Sequence, residues 1–186
     1  MRVEHKERVL DLVTFKIKDV LLFNEKKSVN VLNNDDHVIA EVKKLSFSGN
    51  EKGKTFVLEQ NGEQSILGIK KGRLIFATYR FQINDEEFIL KDNPVNSILY
   101  FCVNGVIHGK KLRIEENWNK EIELKVDGQK VALIKPKSLA LEATVLMNEE
   151  ALHHSQLFSL TCLMYFMYKI YKDETEIIEN MIGEWL

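Results

Sequence analysis

The chain has 186 residues, 45% of them hydrophobic, and carries 26 basic and 28 acidic side chains for a formal net charge of −2. That length suits one domain burying roughly 70% of the surface its unfolded chain exposes. The near balance of charge excludes a global field that would draw the protein to nucleic acid or an anionic membrane, so any such binding needs a local patch.

Met1–Arg8 has no apolar core and predicts no secretory signal. Two prolines and no Ser- or Gly-rich stretch argue against disorder and against a flexible linker. Cys102 and Cys162 sit inside apolar runs and read as reduced, buried side chains of a cytoplasmic protein.

Residues 9–23 alternate Val9, Val13, Phe15 and Ile17 with polar neighbours and predict one or two strands ending at Asn24–Lys27. Five alternating runs then break at polar turns and resume. The turns are Asn34-Asp35, Asn61-Gly62, Asn84-Asp85, Asn104-Gly105 and Asp127-Gly128, spaced 27, 23, 20 and 23 residues apart. Asn-Gly and Asp-Gly signal two-residue hairpins, because a turn matching strand twist needs positive φ at both central positions. Val29 and Val31 are expected to pair with Val38, Ala40 and Val42, and Phe56–Leu58 with Ile66–Ile69. Tyr79, Phe81 and Ile83 should return as Phe88–Leu90, Ile98–Val103 as Val106-Ile107, and Ile122, Leu124 and Val126 as Val131–Ile134. A last strand spans Leu139 to Met147.

About twelve antiparallel strands of one period favour a closed barrel, since closure removes exposed edges. A barrel that wide is not filled by its own side chains. Residues 149–172 supply the filling: one helix N-capped by Asn148, with Glu149 and Glu150 complementing its dipole. From Leu157 to Tyr168 its apolar or small side chains occupy every sector, and a helix apolar all round is surrounded all round. That run is 12 residues, too short to span a bilayer. Beyond it, Ile177, Ile178, Met181, Ile182, Trp185 and Leu186 alternate with acidic residues and predict a short amphipathic tail helix packed on or near the barrel. The division expected is a barrel with its helix over 1–172 and a tail over 173–186.

The run Val126-Asp127-Gly128-Gln129-Lys130-Val131-Ala132-Leu133-Ile134, the strand Leu139–Leu146 and the following apolar helix resemble the tubby C-terminal-like superfamily. This group includes LURP-one-related proteins, small bacterial relatives and phospholipid scramblases. The likeness covers about residues 15–171. It implies a β-barrel around a central helix and, by analogy with eukaryotic tubby domains, phosphoinositide binding by basic residues on the barrel wall. Met164, Tyr165, Phe166, Met167, Tyr168 and Tyr171 are bulkier than the Ala, Val and Leu common in such helices.

Lys70, Lys71 and Arg73, with Lys110, Lys111 and Arg113, are the basic residues that would grip a phosphorylated head group if the fold brought them together. Against this, adjacent lysines on a strand point to opposite faces. Gly105–Lys111 lacks the spacing and the following helix of a phosphate loop. Glu149/His153 and Glu150/His154 have metal-ligand spacing on a helix but are explained by capping and dipole. Cys102 and His108 flank one turn, yet Cys102 lies in the most apolar strand. Trp118, in a polar link, reads equally as an exposed anchor or a barrel plug.

The sequence therefore predicts a mainly β protein: a closed antiparallel barrel of about 12 strands built from hairpins and filled by a C-terminal helix. It predicts a non-catalytic binding module without cofactor or metal, recognising a phospholipid head group or a protein partner at a membrane surface. A lipocalin-like carrier of a small apolar ligand is the alternative.

Overall fold

A computed structural model describes residues 12–20, 23–45, 54–71, 76–137 and 141–183. Twelve strands follow in chain order: β1 (Leu12–Lys18), β2 (Ser28–Leu32), β3 (Val38–Leu45), β4 (Thr55–Gln60), β5 (Glu63–Lys71) and β6 (Thr78–Ile83), then β7 (Glu86–Asp92), β8 (Cys102–Ile107), β9 (Lys110–Glu116), β10 (Ile122–Val126), β11 (Gln129–Lys137) and β12 (Glu142–Asn148). Each pairs antiparallel with its sequence neighbours, and β1 pairs with β12 from Leu12–Asn148 to Lys18–Glu142, which closes the barrel. Two helices follow, α1 (Glu149–Leu152) and α2 (Ser155–Gly183).

Turn chemistry places the two ends. At the hairpin end, Asn61-Gly62, Asn84-Asp85, His108-Gly109 and Asp127-Gly128 all have positive φ at both positions, as a two-residue turn matched to strand twist requires. The first hairpin uses a longer connection, in which Asn33 accepts backbone N–H bonds from Asp35 and His37 through its side chain. The longer links lie at the opposite, loop end.

Asn104-Gly105 is not a turn. Both residues lie inside β8, which pairs with β9 around His108-Gly109, while Ile98–Tyr100 belong to the preceding link rather than to a strand. Gly105 is there because Leu90 of β7 lies against it: a Cβ at this position would sit 2.1 Å from the Leu90 Cδ2. Gly105→Ala should therefore cost about 1–3 kcal/mol by denaturant unfolding, since Leu90 is fully buried and has little room to move.

Alternation sends Ile17, Val31, Val42, Leu67, Phe81, Leu90, Ile114, Ile122, Ile134 and Val145 into the lumen, all essentially inaccessible. The outer face is polar and ion-paired: Lys16 with Asp36, Lys43 between Glu41 and Glu59, Lys125 between Glu115 and Glu123. This is the reverse of a lipid-facing barrel wall. At the β1–β12–β11 seam, hydrogen bonds from Lys137 and Lys18 hold the Glu142 carboxyl down at about 2.

The chain reaches the hairpin end at Asn148, whose side chain accepts from the Ala151 N–H and caps α1 as expected. The single helix expected over 149–172 is instead broken at His153-His154, where the chain leaves the wall and turns into the lumen. From Phe158 to Tyr168 eleven consecutive residues of α2 are buried, which requires wall on every side of the helix. Phe158 meets Phe15 of β1 edge-on at 5.2 Å, and Phe166 packs against Phe56 of β4 at 5.1 Å. The tail is not a separate element, because α2 runs unbroken through 172 and 173 to Gly183. At ~1.5 Å per residue its last dozen residues reach about 18 Å past the point where burial ends. Ile177 and Ile178 on that extension are 59% and 55% exposed, so they do not pack on the barrel. The expected features at Met1–Arg8, Val9, Leu139, Trp185 and Leu186 lie outside the described residues.

Candidate functional site

The strand order separates Lys70 and Lys71 from the second basic cluster. Lys70 and Lys71 are on β5 and Lys110, Lys111 and Arg113 on β9, with β6, β7 and β8 between them, about 19 Å along the wall. Arg73 lies outside the described residues. Lys110 and Lys111 point to opposite faces of β9, and Arg113 is engaged by Glu115 at 2.7 Å. The backbone positions of Lys70 and Lys71 are therefore on a different part of the wall from Lys110, Lys111 and Arg113.

The nucleophile and metal readings are equally unsupported by the geometry. Cys102 begins β8 and His108 follows its far end. Burial pushes the Cys102 thiol up, and raises that of Cys162 to about 12, so neither is a ready thiolate. Among the described residues no three His, Cys, Asp or Glu side chains come together as a metal site.

The polar chemistry concentrates at the loop end, where α2 leaves the barrel. Two carboxylates buried in the mouth, Asp19 and Glu116, are 1% and 2% exposed at their side chains. The Tyr165 hydroxyl donates to Asp19 at 3.0 Å and the Tyr168 hydroxyl to Glu116 at 3.0 Å. One turn further along α2, Lys169 reaches Asp19, and Lys172 reaches Glu116 at 3.2 Å. Helical spacing thus repeats one device twice: a tyrosine and a lysine at i and i+4 share a single carboxylate. Burial is the first cause that raises both tyrosine hydroxyls far above their ordinary range, so both stay protonated donors.

Beside this exit is a cleft of ≈ 550 Å³ whose rim carries Lys120, Lys135, Lys137, Lys169 and Lys172. It looks basic, but every one of these lysines faces a carboxylate within 4 Å: Lys120 and Lys172 meet Glu116, Lys135 meets Glu121, Lys137 meets Glu142 and Lys169 meets Asp19. These five lysines share four carboxylates, and Asp173 also lines the cleft, so its formal charges balance.

The unusual surface is apolar. Trp118, in the β9–β10 link, is fully exposed, which excludes the barrel-plug reading. In the neighbouring β7–β8 link Val95, Ile98 and Leu99 are 77%, 69% and 80% exposed. Leu99 and Trp118 face one groove of ≈ 640 Å³ together with Lys120 and Lys125. The loop that presents them is held by its own backbone. Asn93 Oδ1 accepts from the Val95 and Asn96 N–H groups, Ser97 Oγ donates to the Cys102 carbonyl, and Asn93 N donates to that same carbonyl. The loop is thus tied down on its polar side while three large aliphatic side chains stand in water.

Sequence reasoning missed these tips because Ile98–Val103 has the composition of a core strand. The signal that could have corrected it is Asn93-Pro94 followed by Asn96-Ser97, a turn-forming cluster directly upstream. Asp19 and Glu116 gave no signal of their own, and only the Tyr165/Lys169 and Tyr168/Lys172 pairs in an otherwise apolar helix hinted at buried acceptors.

Comparison with protein-family models, with curated proteins and with solved structures finds no match to this chain.

Proposed function

We propose that the protein is a non-catalytic binding module that docks on a lipid surface through its loop end. The observation that carries this reading is the set of apolar tips, Val95, Ile98, Leu99 and Trp118, on two adjacent links. Withdrawing an aliphatic side chain of this size from water is worth roughly 1.5–3 kcal/mol, and a tryptophan with a free edge is suited to the bilayer interface. Charge contributes little, because the nearby lysines are already paired. The extension of α2 beside them begins Asp173-Glu174-Thr175-Glu176, which disfavours an anionic surface. The ligand this supports is a zwitterionic head-group region rather than a phosphoinositide. The barrel around a buried helix is in keeping with a tubby-like assignment, which remains part of the proposal.

The lipocalin-like alternative needs a lumen free for ligand. The burial of α2 from Phe158 to Tyr168 within the barrel speaks against that alternative.

Cosedimentation with phosphatidylcholine vesicles, with and without phosphatidylserine, tests the proposal. Binding should be equal or better without the anionic lipid, insensitive to salt, and lost in Leu99→Ser/Trp118→Ser. Failure to sediment with either vesicle overturns the lipid reading in favour of a protein partner, and binding only to the anionic vesicle overturns the charge argument.

A further inference from the structure

At the hairpin end, opposite the docking surface, lies a cavity of ≈ 210 Å³ with an almost wholly apolar lining. Ile107, Leu112, Val126 and Leu157 make its walls, where the α1–α2 break carries Leu157 over the ends of β8, β9 and β10. Its rim is polar and carries His108, Lys110, His154 and Gln156. Lys110 is exposed there and, among the described residues, makes no ion pair, in contrast to every lysine of the loop-end cleft. Of the carboxylates around this end, Glu86 faces the His108 imidazole at 3.4 Å and Asp127 accepts from the Lys111 N–H at 2.9 Å. The 29-residue α2 opens at this rim with no acidic residue in its first turn, whereas the short α1 has Glu149 and Glu150 in its own. The positive end of the α2 dipole therefore lacks an internal counter-charge.

An apolar socket below an unpaired ammonium and a positive helix end is complementary to a small molecule with a greasy tail and an anionic head. We propose that this cavity binds a short-chain carboxylic acid, with its acyl tail among Ile107, Leu112, Val126 and Leu157 and its carboxylate at Lys110. The volume equals roughly seven water-sized units, which sets the tail at about that many methylenes and excludes long-chain lipids. This site shares no residue with the docking surface, so either proposal can fail alone.

The test is titration of the full chain with sodium octanoate, followed by methyl NMR, with octylamine as the charge-reversed probe. Saturable shifts are expected at the Ile107, Leu112, Val126 and Leu157 methyls. Octylamine should bind about tenfold more weakly, and Lys110→Gln should weaken octanoate about fivefold, the scale of a rim ion pair. Lys111→Gln, on the opposite face of the same strand, should change nothing, and Val126→Phe should block the socket. Shifts that do not saturate, octylamine binding as tight as octanoate, or equal effects of Lys110→Gln and Lys111→Gln would overturn the proposal.

Discussion

Phe166→Ala should lower the unfolding free energy by about 3–5 kcal/mol, at the upper end of what a single core truncation does. Phe166 is 2% exposed and its ring touches Phe56 at 5.1 Å, Phe23 at 5.3 Å and Tyr165 at 5.1 Å. The cost of such a cavity depends on how far the surroundings can collapse into it. Here they are a wall whose strands are hydrogen-bonded on both sides, which resists inward movement. Leu163→Ala and Met164→Ala, in other sectors of the same helix, should each cost about 2–5 kcal/mol. The contrast is Leu99→Ala, on the exposed loop, which should fall within ~0.5 kcal/mol of the parent. Denaturant unfolding monitored by circular dichroism measures all four. A cheap sector on α2 would mean that side of the helix meets water, and the enclosed-helix architecture would be wrong.

The second large effect is expected at the exit. Asp19→Ala with Glu116→Ala removes both acceptors that hold α2 in the mouth, and should cost roughly 3–6 kcal/mol, from two charged-acceptor sites at about 1.5–3 kcal/mol each. The two kinds of donor do not contribute equally. The carboxylates are almost completely buried, but the Lys169 and Lys172 side chains are 37% and 42% exposed, so water competes for the ammonium contacts and screens them. Tyr165→Phe and Tyr168→Phe should therefore each destabilise more than Lys169→Met or Lys172→Met, which keep the apolar stems. A double-mutant cycle between Asp19→Ala and Tyr165→Phe isolates the buried bond. Hydrogen exchange along 165–178 should rise in the double carboxylate variant before the barrel strands are affected. Lysine variants costing more than the tyrosine variants would show that the ion pairs, not the buried hydroxyl bonds, anchor the helix.

Much of this architecture is legible in the chain because it rests on local rules. Alternation of Tyr79, Phe81 and Ile83 sends one face inward whatever else the chain does. Asn61-Gly62 and Asp127-Gly128 turn where they stand because few residue pairs accept two positive φ values. The same reasoning misplaced the fourth hairpin. Asn104-Gly105 has turn composition, but Gly105 serves a neighbour in another strand, and His108-Gly109 makes the turn. A glycine's purpose depends on what approaches it, which is a fact about Leu90 rather than about the local sequence.

The site depended still more on tertiary structure. The lysine pairs looked like a patch only while their strands had no order; the strand order of the sheet puts three strands between them. The loop-end lysines are neutralised by carboxylates up to 150 residues away in sequence, as with Asp19 and Lys169. By itself, the sequence determined the strands, most of the turns, and a C-terminal helix greasy on every side, because backbone propensity and side-chain period are properties of neighbours along the chain. Which charges are spent on each other, which apolar residues remain in water, and where a cation is left without a partner were decided only when the barrel closed, because charge pairing and burial are properties of neighbours in space.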